Sequence, residues 1–322
     1  MRELLKLYVQ SKKDITKAQY DYIKKDEDLL LYYLAAGNRY NRDDDYIKQY
    51  VKLLNESKQK YLIKRQSKYI NFIDNPSLEL QLVAVQKNGY LIEYIKNPSE
   101  QVQLVAVQKN GESIDIIIDK GIIPSEQVQL AAVQQYANVI FNIIKKGITP
   151  SEDVKLAAVQ HDGNAIRFII TPSEQVQLAA VKQNGHAIEY IFSKGITPSE
   201  QVQLAAVKQN GYFIEYIKNP SEQVQLAAVK NNGFAIGYII YNGIIPSEQV
   251  QLAAVQKDGE AIKFIENPSE QLQLAAVIQD CYAIAHINNP SEYVQLAAVE
   301  QDSDVIEYIE NPYPSVLNYI KS

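Results

Sequence analysis

The stretch PSEQVQLAAVKQNGYFIEYI, residues 198–217, decides the fold, because the chain writes it ten times. Copies begin at Pro76, Pro98, Pro124, Pro150, Pro172, Pro198, Pro220, Pro246, Pro268 and Pro290, and Pro312 ends the last. Successive prolines lie 22 or 26 residues apart and at no other interval. Two unit lengths that differ by about one helical turn, with the pattern kept on both sides, mean stacked helices rather than strands.

Within a unit, Asn97, Pro98, Ser99 and Glu100 read as a helix start. Asn97 supplies the cap, Pro98 the first helical position, and Glu100 a carboxylate reaching back as in a capping box. Helix A is therefore expected to begin at each proline. Asn recurs before the proline at Asn75, Asn219, Asn267 and Asn289, with Thr at Thr149, Thr171 and Thr197. Ile123 and Ile245 cannot cap through a side chain, so those two starts are expected to be weaker by about 1 kcal/mol. Val202, Leu204, Ala205, Ala206 and Val207 give helix A a broad apolar face, with alanines thin enough for close approach.

An Asn or Asp, such as Asn210 or Asp258, follows in every unit but the one with Tyr136, and is expected to cap helix B. The next residue is Gly in seven units but Ala137, Cys281 or Ser303 in the others. Those three would resist a left-handed backbone, so small size is the requirement there. In helix B, Ala187, Ile188 and Ile191 face inward, and His186 and Glu189 outward. The longer units are expected to run one turn further and stop at Gly121, Gly147, Gly195 or Gly243 as C-terminal caps.

Helices this short are marginal alone, so stability has to come from stacking. The expected fold is all-α: an α-solenoid of about ten 22- or 26-residue helix-turn-helix repeats spanning 76–311. Residues 1–75 form an N-terminal helical cap, with helical patterns near Glu3–Val9, Ile15–Lys24, Asp26–Ala36, Asp44–Leu54 and Glu56–Ile73; residues 312–322 form a C-terminal capping segment. Length does not demand further domains, because such an array grows lengthwise.

The net charge of −6 hides an asymmetry: the first 75 residues carry +5 and the rest −11. A single cysteine, Cys281, excludes an intramolecular disulfide and fits a reducing compartment. Apolar runs are too short to cross a bilayer, and Met1–Gln10 lacks the apolar core of a leader. The expectation is a cytoplasmic protein with no membrane partner. Lys, Ile, Asn and Tyr are abundant while Trp is absent, a usage that fits an AT-rich genome such as those of many viruses, phages and protists.

The core Ala205-Ala206-Val207-Lys208-Gln209-Asn210-Gly211, repeated across residues 76–310, resembles the short repeats of domain of unknown function 4116, found in giant-virus, protist and bacterial proteins. It is more loosely similar to leucine-rich-variant and HEAT-like arrays. The resemblance implies an α-helical array and carries no catalytic residue to this chain. In a viral setting it suggests an inhibitor or sequestering factor acting on a host or defence protein in the host cytoplasm.

Catalysis needs reactive groups that converge, whereas His161, His186 and His286 occupy three different places in the unit. No metal-ligand spacing occurs and no cofactor is expected, so the chain reads as a non-enzyme. The Glu row, such as Glu100 and Glu200, is expected to cap its own helix and to favour the helix dipole. The Gln row, such as Gln103 and Gln203, is expected to bridge neighbouring units by hydrogen bonds.

Function is expected where units disagree on a constant scaffold. On helix B the first outer position and the one three residues later vary, and stacking would set them in two adjacent columns. The binding candidates there are Tyr90, Glu93, Phe141, Arg167, His186, Glu189, Tyr212, Glu215, Phe234, Lys263 and Tyr282. Aromatics among acidic groups suit a protein or peptide partner with basic or apolar anchors. Tyr136, Phe141 and Asn142 depart from the consensus together, as a local contact or a repacking. Two alternatives stay open. Lys58, Lys60, Lys64, Arg65 and Lys68, interleaved with Tyr61 and Tyr69, would suit nucleic acid, although the acidic array would repel phosphates. A concave array could also sequester a small ligand. Oligomeric state is not legible.

Overall fold

The computed structural model describes residues 16–36 and 44–321, which form 26 helices and no strand. The Glu3–Val9 helix, Ile15 and the Met1–Gln10 reading lie outside the described residues. The chain divides into two compact units, Met1–His161 and Asp162–Ser322. Within each, helices pack against their sequence neighbours, as an α-solenoid requires.

In the first unit, helices Lys17–Lys25, Glu27–Ala35 and Asp44–Leu53 gather a core from Tyr20, Ile23, Leu30, Leu34, Ile47 and Val51. Thr16 and Gln19 cap the first helix reciprocally, and the Asp26 carboxylate accepts from the Leu29 N–H at 3.0 Å. The single helix expected over Glu56–Ile73 is instead an α-helix, Glu56–Arg65, and a 3-10 helix, Ser67–Phe72, broken at Gln66. This pair has the anatomy of a repeat. Asn55 caps it, Gln59 is buried, and Ser77 follows Asn55 by the short-unit interval. Leu62 and Tyr69 join the first core, while Ile63 and Ile70 pack on Leu80, Ala84 and Leu91 of the Pro76 repeat. A divergent repeat thus joins the array to the helices before it. A search by proline misses it because Leu54 stands where proline would.

Helix A spans ten residues in nearly every repeat, for example Glu200–Gln209, and Val202, Ala206 and Val207 are fully buried. Leu204 and Ala205 are only half-buried, so the apolar face is narrower than the sequence suggests. Helix B changes type with unit length. In short repeats it is a six-residue 3-10 helix such as Gly211–Tyr216; in long ones it is a seven-residue α-helix such as Ala235–Tyr241. The expected extra turn is therefore partly a change of winding, since a 3-10 helix covers the same face with fewer residues. The four long helices end on Gly121, Gly147, Gly195 and Gly243 at φ 76, 81, 74 and 79°. The Ile244 N–H closes back on the Ile239 carbonyl at 3.2 Å, the Schellman arrangement.

The starts of helix A differ from expectation. The first helical residue is the Glu, and the cap is the Ser between Pro and Glu. Ser125 Oγ accepts from the Val128 N–H at 3.4 Å, and Ser221 from Val224 at 3.3 Å. Ser247 does the same at 3.4 Å, so the starts behind Ile123 and Ile245 carry no deficit; those isoleucines stand 77% and 92% exposed. Asn75, Asn267 and Asn289 instead take left-handed backbone at φ 54, 51 and 51°, turning the chain into the proline. Nor does Glu reach back to its own cap. Its carboxylate accepts the hydroxyl of the next repeat's serine: Ser125 to Glu100 and Ser151 to Glu126 in the first unit, Ser221 to Glu200 and Ser247 to Glu222 in the second. One hydroxyl thus caps a helix and ties it to the helix before it.

The glutamine row works within a unit rather than between units. Gln103 Nε2 donates to the Pro98 carbonyl at 3.0 Å and Gln203 to Pro198 at 2.9 Å, serving a carbonyl that lies before the helix and outside its hydrogen-bond ladder. Gln295 alone also reaches onward, donating to the Asn311 carbonyl and accepting from the Tyr313 N–H.

The Asn/Asp position caps helix B as expected, with Asn210 Oδ1 accepting from the Tyr212 N–H at 3.0 Å. The glycine after it needs no positive φ; it needs room. A Cβ on Gly233 would lie 2.5 Å from the Ala254 carbonyl oxygen, and one on Gly163 2.5 Å from that of Ala180. The same glycines donate across the junction, Gly233 to Asp258 Oδ2 at 2.6 Å and Gly163 to Gln183 Oε1 at 2.7 Å.

Candidate functional site

Helix B presents its variable side chains to solvent in both units. In the first, the Tyr90 hydroxyl donates to Glu112 Oε2 at 2.5 Å, joining the first outer positions of two adjacent repeats. That carboxylate holds the Tyr90 hydroxyl protonated, its pKa raised above the usual tyrosine value. Glu93 is exposed, and its carbonyl accepts from Lys120 Nζ at 2.7 Å. The Phe141 ring is exposed beneath Lys145 Nζ at 5.6 Å. Asn142, the other non-consensus residue here, donates to Asp115 Oδ2 at 2.8 Å, so this departure is an inter-repeat contact.

In the second unit the pairing is diagonal. The first outer residue of one repeat meets the ring four positions further along helix B of the next: Tyr212 with Tyr238, Phe234 with Phe264, and Tyr282 with Tyr308, at centroid distances of 5.7, 6.1 and 6.0 Å, all edge-to-face. His186 follows the same rule with Tyr216 at 5.7 Å, meets Phe213 edge-on, and places Nδ1 3.1 Å from Glu189 Oε2. Lys263 Nζ lies 4.7 Å over the Phe234 ring and 3.4 Å from Glu260. The Arg167 guanidinium covers Phe168 at 4.5 Å. Glu215 is exposed and bonds the Tyr216 hydroxyl, which burial first and Glu215 second push up to about 12. The Tyr282 hydroxyl donates to Asp302 at 2.9 Å and is likewise pushed up to about 12, here mainly by that bond.

The two expected columns are therefore coupled by a step along the helix, to a ring outside both columns. Its signal was the recurrent aromatic at Tyr216, Tyr238, Phe264 and Tyr308. Even paired, Tyr212 and Tyr282 stay 37% and 42% exposed, so each ring offers one edge or face to solvent.

The basic run in the divergent repeat is partly neutralised. Lys58 Nζ lies 2.7 Å from Glu27 Oε1, which raises its pKa, and Lys60 is paired with Glu79. Arg65 stacks over Tyr61 at 5.8 Å and Lys68 over Tyr69 at 5.9 Å. Lys64 is exposed.

Asp115 is the one carboxylate of this face whose pKa burial pushes up. Its Oδ1 is buried without a partner. The ionised form is penalised in the fold, so this group contributes least stability above its raised folded pKa. Its contribution improves as pH falls toward the unfolded value near 3.9. Asp115→Asn is therefore expected to raise Tm by about 2 °C at pH 7, with the advantage shrinking toward pH 4. Thermal melts of both proteins at the two pH values check this.

Among the described residues no group of three or more His, Cys, Asp or Glu side chains is placed to hold a metal ion, and no helix is long and apolar enough to cross a membrane. His161 is exposed at the end of helix Glu152–His161, and His186 and His286 sit in different repeats. No family model, curated protein or solved structure matches this chain.

Proposed function

We propose that the protein is a non-enzymatic interaction scaffold that binds a protein or peptide along the helix-B face. One observation supports this most. In most units the recurrent polar residues are consumed inside the array: Ser by Glu and by helix N–H groups, Gln by the proline carbonyl, Asn by helix B. The side chains left to face solvent on helix B are the ones that differ from unit to unit, and they mix tyrosine edges with carboxylates. Such a surface gives each repeat its own contact while the framework stays constant.

The test is recovery of a partner by the full-length tagged protein from its native cells, with and without nuclease. The reading expects a stoichiometric protein that survives nuclease and falls at least tenfold with Tyr212→Ala and Tyr282→Ala, while Ile278→Ala on exposed helix A changes little. Melting curves of each variant separate lost contact from lost fold. Recovery that depends on nucleic acid would overturn the proposal.

A further inference from the structure

Charge and connector geometry coincide at one place in the second unit. From Ile265 to Ile320 there are nine carboxylates and no Lys or Arg. It begins at the end of the first of three consecutive short repeats, those starting at Pro246, Pro268 and Pro290, and takes in the whole of the other two. In short repeats helix B is the six-residue 3-10 helix, and the connector follows it without the glycine cap of the long repeats. Two cavities open side by side along this run. One, of about 550 Å³, is lined by Glu266, Asn267, Pro268, His286 and Asn288; the other, of about 590 Å³, by Asn288, Asn289, Tyr308, Glu310 and Tyr313. Asn288 lines both, so the two cavities adjoin along the connectors and together make a groove with Asn288 at its middle. Lys263 stands at its rim, held by Glu260 and by the Phe234 ring.

The groove also leaves main-chain groups unpaired. Among the described residues, no hydrogen bond within the chain engages the N–H of Glu266, Asn267, Asn288, Asn289 or Glu310. In the long repeats the matching connectors are closed, the Gly243 N–H bonding Ile240 at 2.9 Å. An edge of free peptide N–H groups, with side-chain amides beside it, matches the main chain of an extended peptide. Glu266, Asn288 and Glu310 hold one repeat position at successive 22-residue steps, and neither carboxylate has an ion pair or hydrogen bond among the described residues. Packed helices lie about 8–10 Å apart. An extended chain covers that distance in about three residues.

We propose that this groove binds an extended basic segment of a partner protein, with Lys or Arg about every third residue. Its main chain lies along the connectors from Glu266 to Glu310, and its cations meet those two carboxylates and the Tyr308 and Tyr313 rings. The assignment rests on the scaffold reading and names the class of partner at a site apart from the helix-B columns.

The probe is a fluorescein-labelled dodecapeptide of four Lys-Ser-Gly triplets, titrated with the full-length protein by anisotropy; its Glu-Ser-Gly counterpart is the charge control. The expected result is saturable binding of the lysine peptide only. Glu266→Gln with Glu310→Gln should weaken it about tenfold, while Glu300→Gln with Glu307→Gln, the same charge change off the groove, should leave it within about twofold. Equal loss in both double variants would mean diffuse attraction and overturn the groove. No binding of the lysine peptide would overturn it too, and the scaffold reading would still stand if partner recovery remained sensitive to Tyr212→Ala. Self-association abolished by the groove variant would give the groove to a second copy and also refute the proposal.

Discussion

Gly233→Ala is expected to cost about 3 kcal/mol, the upper range for forcing an extra carbon into a packed interior. The new Cβ would stand 2.5 Å from the Ala254 carbonyl oxygen and 2.8 Å from Asp258 Oδ2. Both belong to the next repeat, and the carbonyl is part of its helix A, so relief requires moving a whole helix or breaking the Gly233 to Asp258 hydrogen bond. Gly243, in the same repeat, makes the contrast. A Cβ there meets nothing within 4 Å, but the backbone sits at φ 79°. Gly243→Ala should therefore cost about 1 kcal/mol, the strain of left-handed backbone alone. Asn tolerates that conformation, so Gly243→Asn should recover part of the loss, whereas Gly233→Asn should be worse than Gly233→Ala. Urea unfolding of the four variants reads this directly; equal losses at the two glycines would refute the steric account.

Gln295→Ala is expected to release the C-terminal segment. This side chain is 2% exposed and makes three bonds: Nε2 to the Pro290 and Asn311 carbonyls at 3.1 and 3.2 Å, and Oε1 from the Tyr313 N–H at 3.0 Å. Truncation leaves three part-buried peptide groups without this partner and removes one of the joins to helix Pro314–Lys321, leaving the Ser315 to Glu292 bond and buried Val316. A local loss of about 3 kcal/mol follows if each stranded group costs about 1 kcal/mol. Because an array is stabilised by nearest neighbours, the loss should appear as fraying of the end rather than global unfolding. Hydrogen exchange should show lost protection over residues 314–321 with little change near Val255. Gln251→Ala, which removes a single 2.9 Å bond to Pro246, should cost only about 1 kcal/mol. Unchanged protection at the C-terminus of Gln295→Ala would sink this reading.

The candidate surface was legible only in part. That Tyr212, Phe234 and Tyr282 vary on an outer face follows from period and position, and the structure leaves Tyr212 and Tyr282 exposed and Phe234 half-buried. That each meets a ring one repeat later could not be read, because the meeting depends on how far one helix slides along the next. The connector groove was invisible for a similar reason. A run of short units can be counted, yet which connector N–H groups stay free appears only in the folded chain, where Asn267 and Asn289 turn left-handed and Asn311 does not.

Residue order alone carries the all-α repeat, its 22- and 26-residue period, the glycine's need for small size and the inward face of helix B, because these depend on local spacing and on bulk. Tertiary structure decides which side chain serves which bond. Ser rather than Asn caps helix A, Glu serves the following repeat, Gln serves its own proline carbonyl, and helix B winds as 3-10 or α according to unit length. The first three are choices among polar partners of similar strength, and such choices are made by the distance between neighbouring helices, which no single repeat contains.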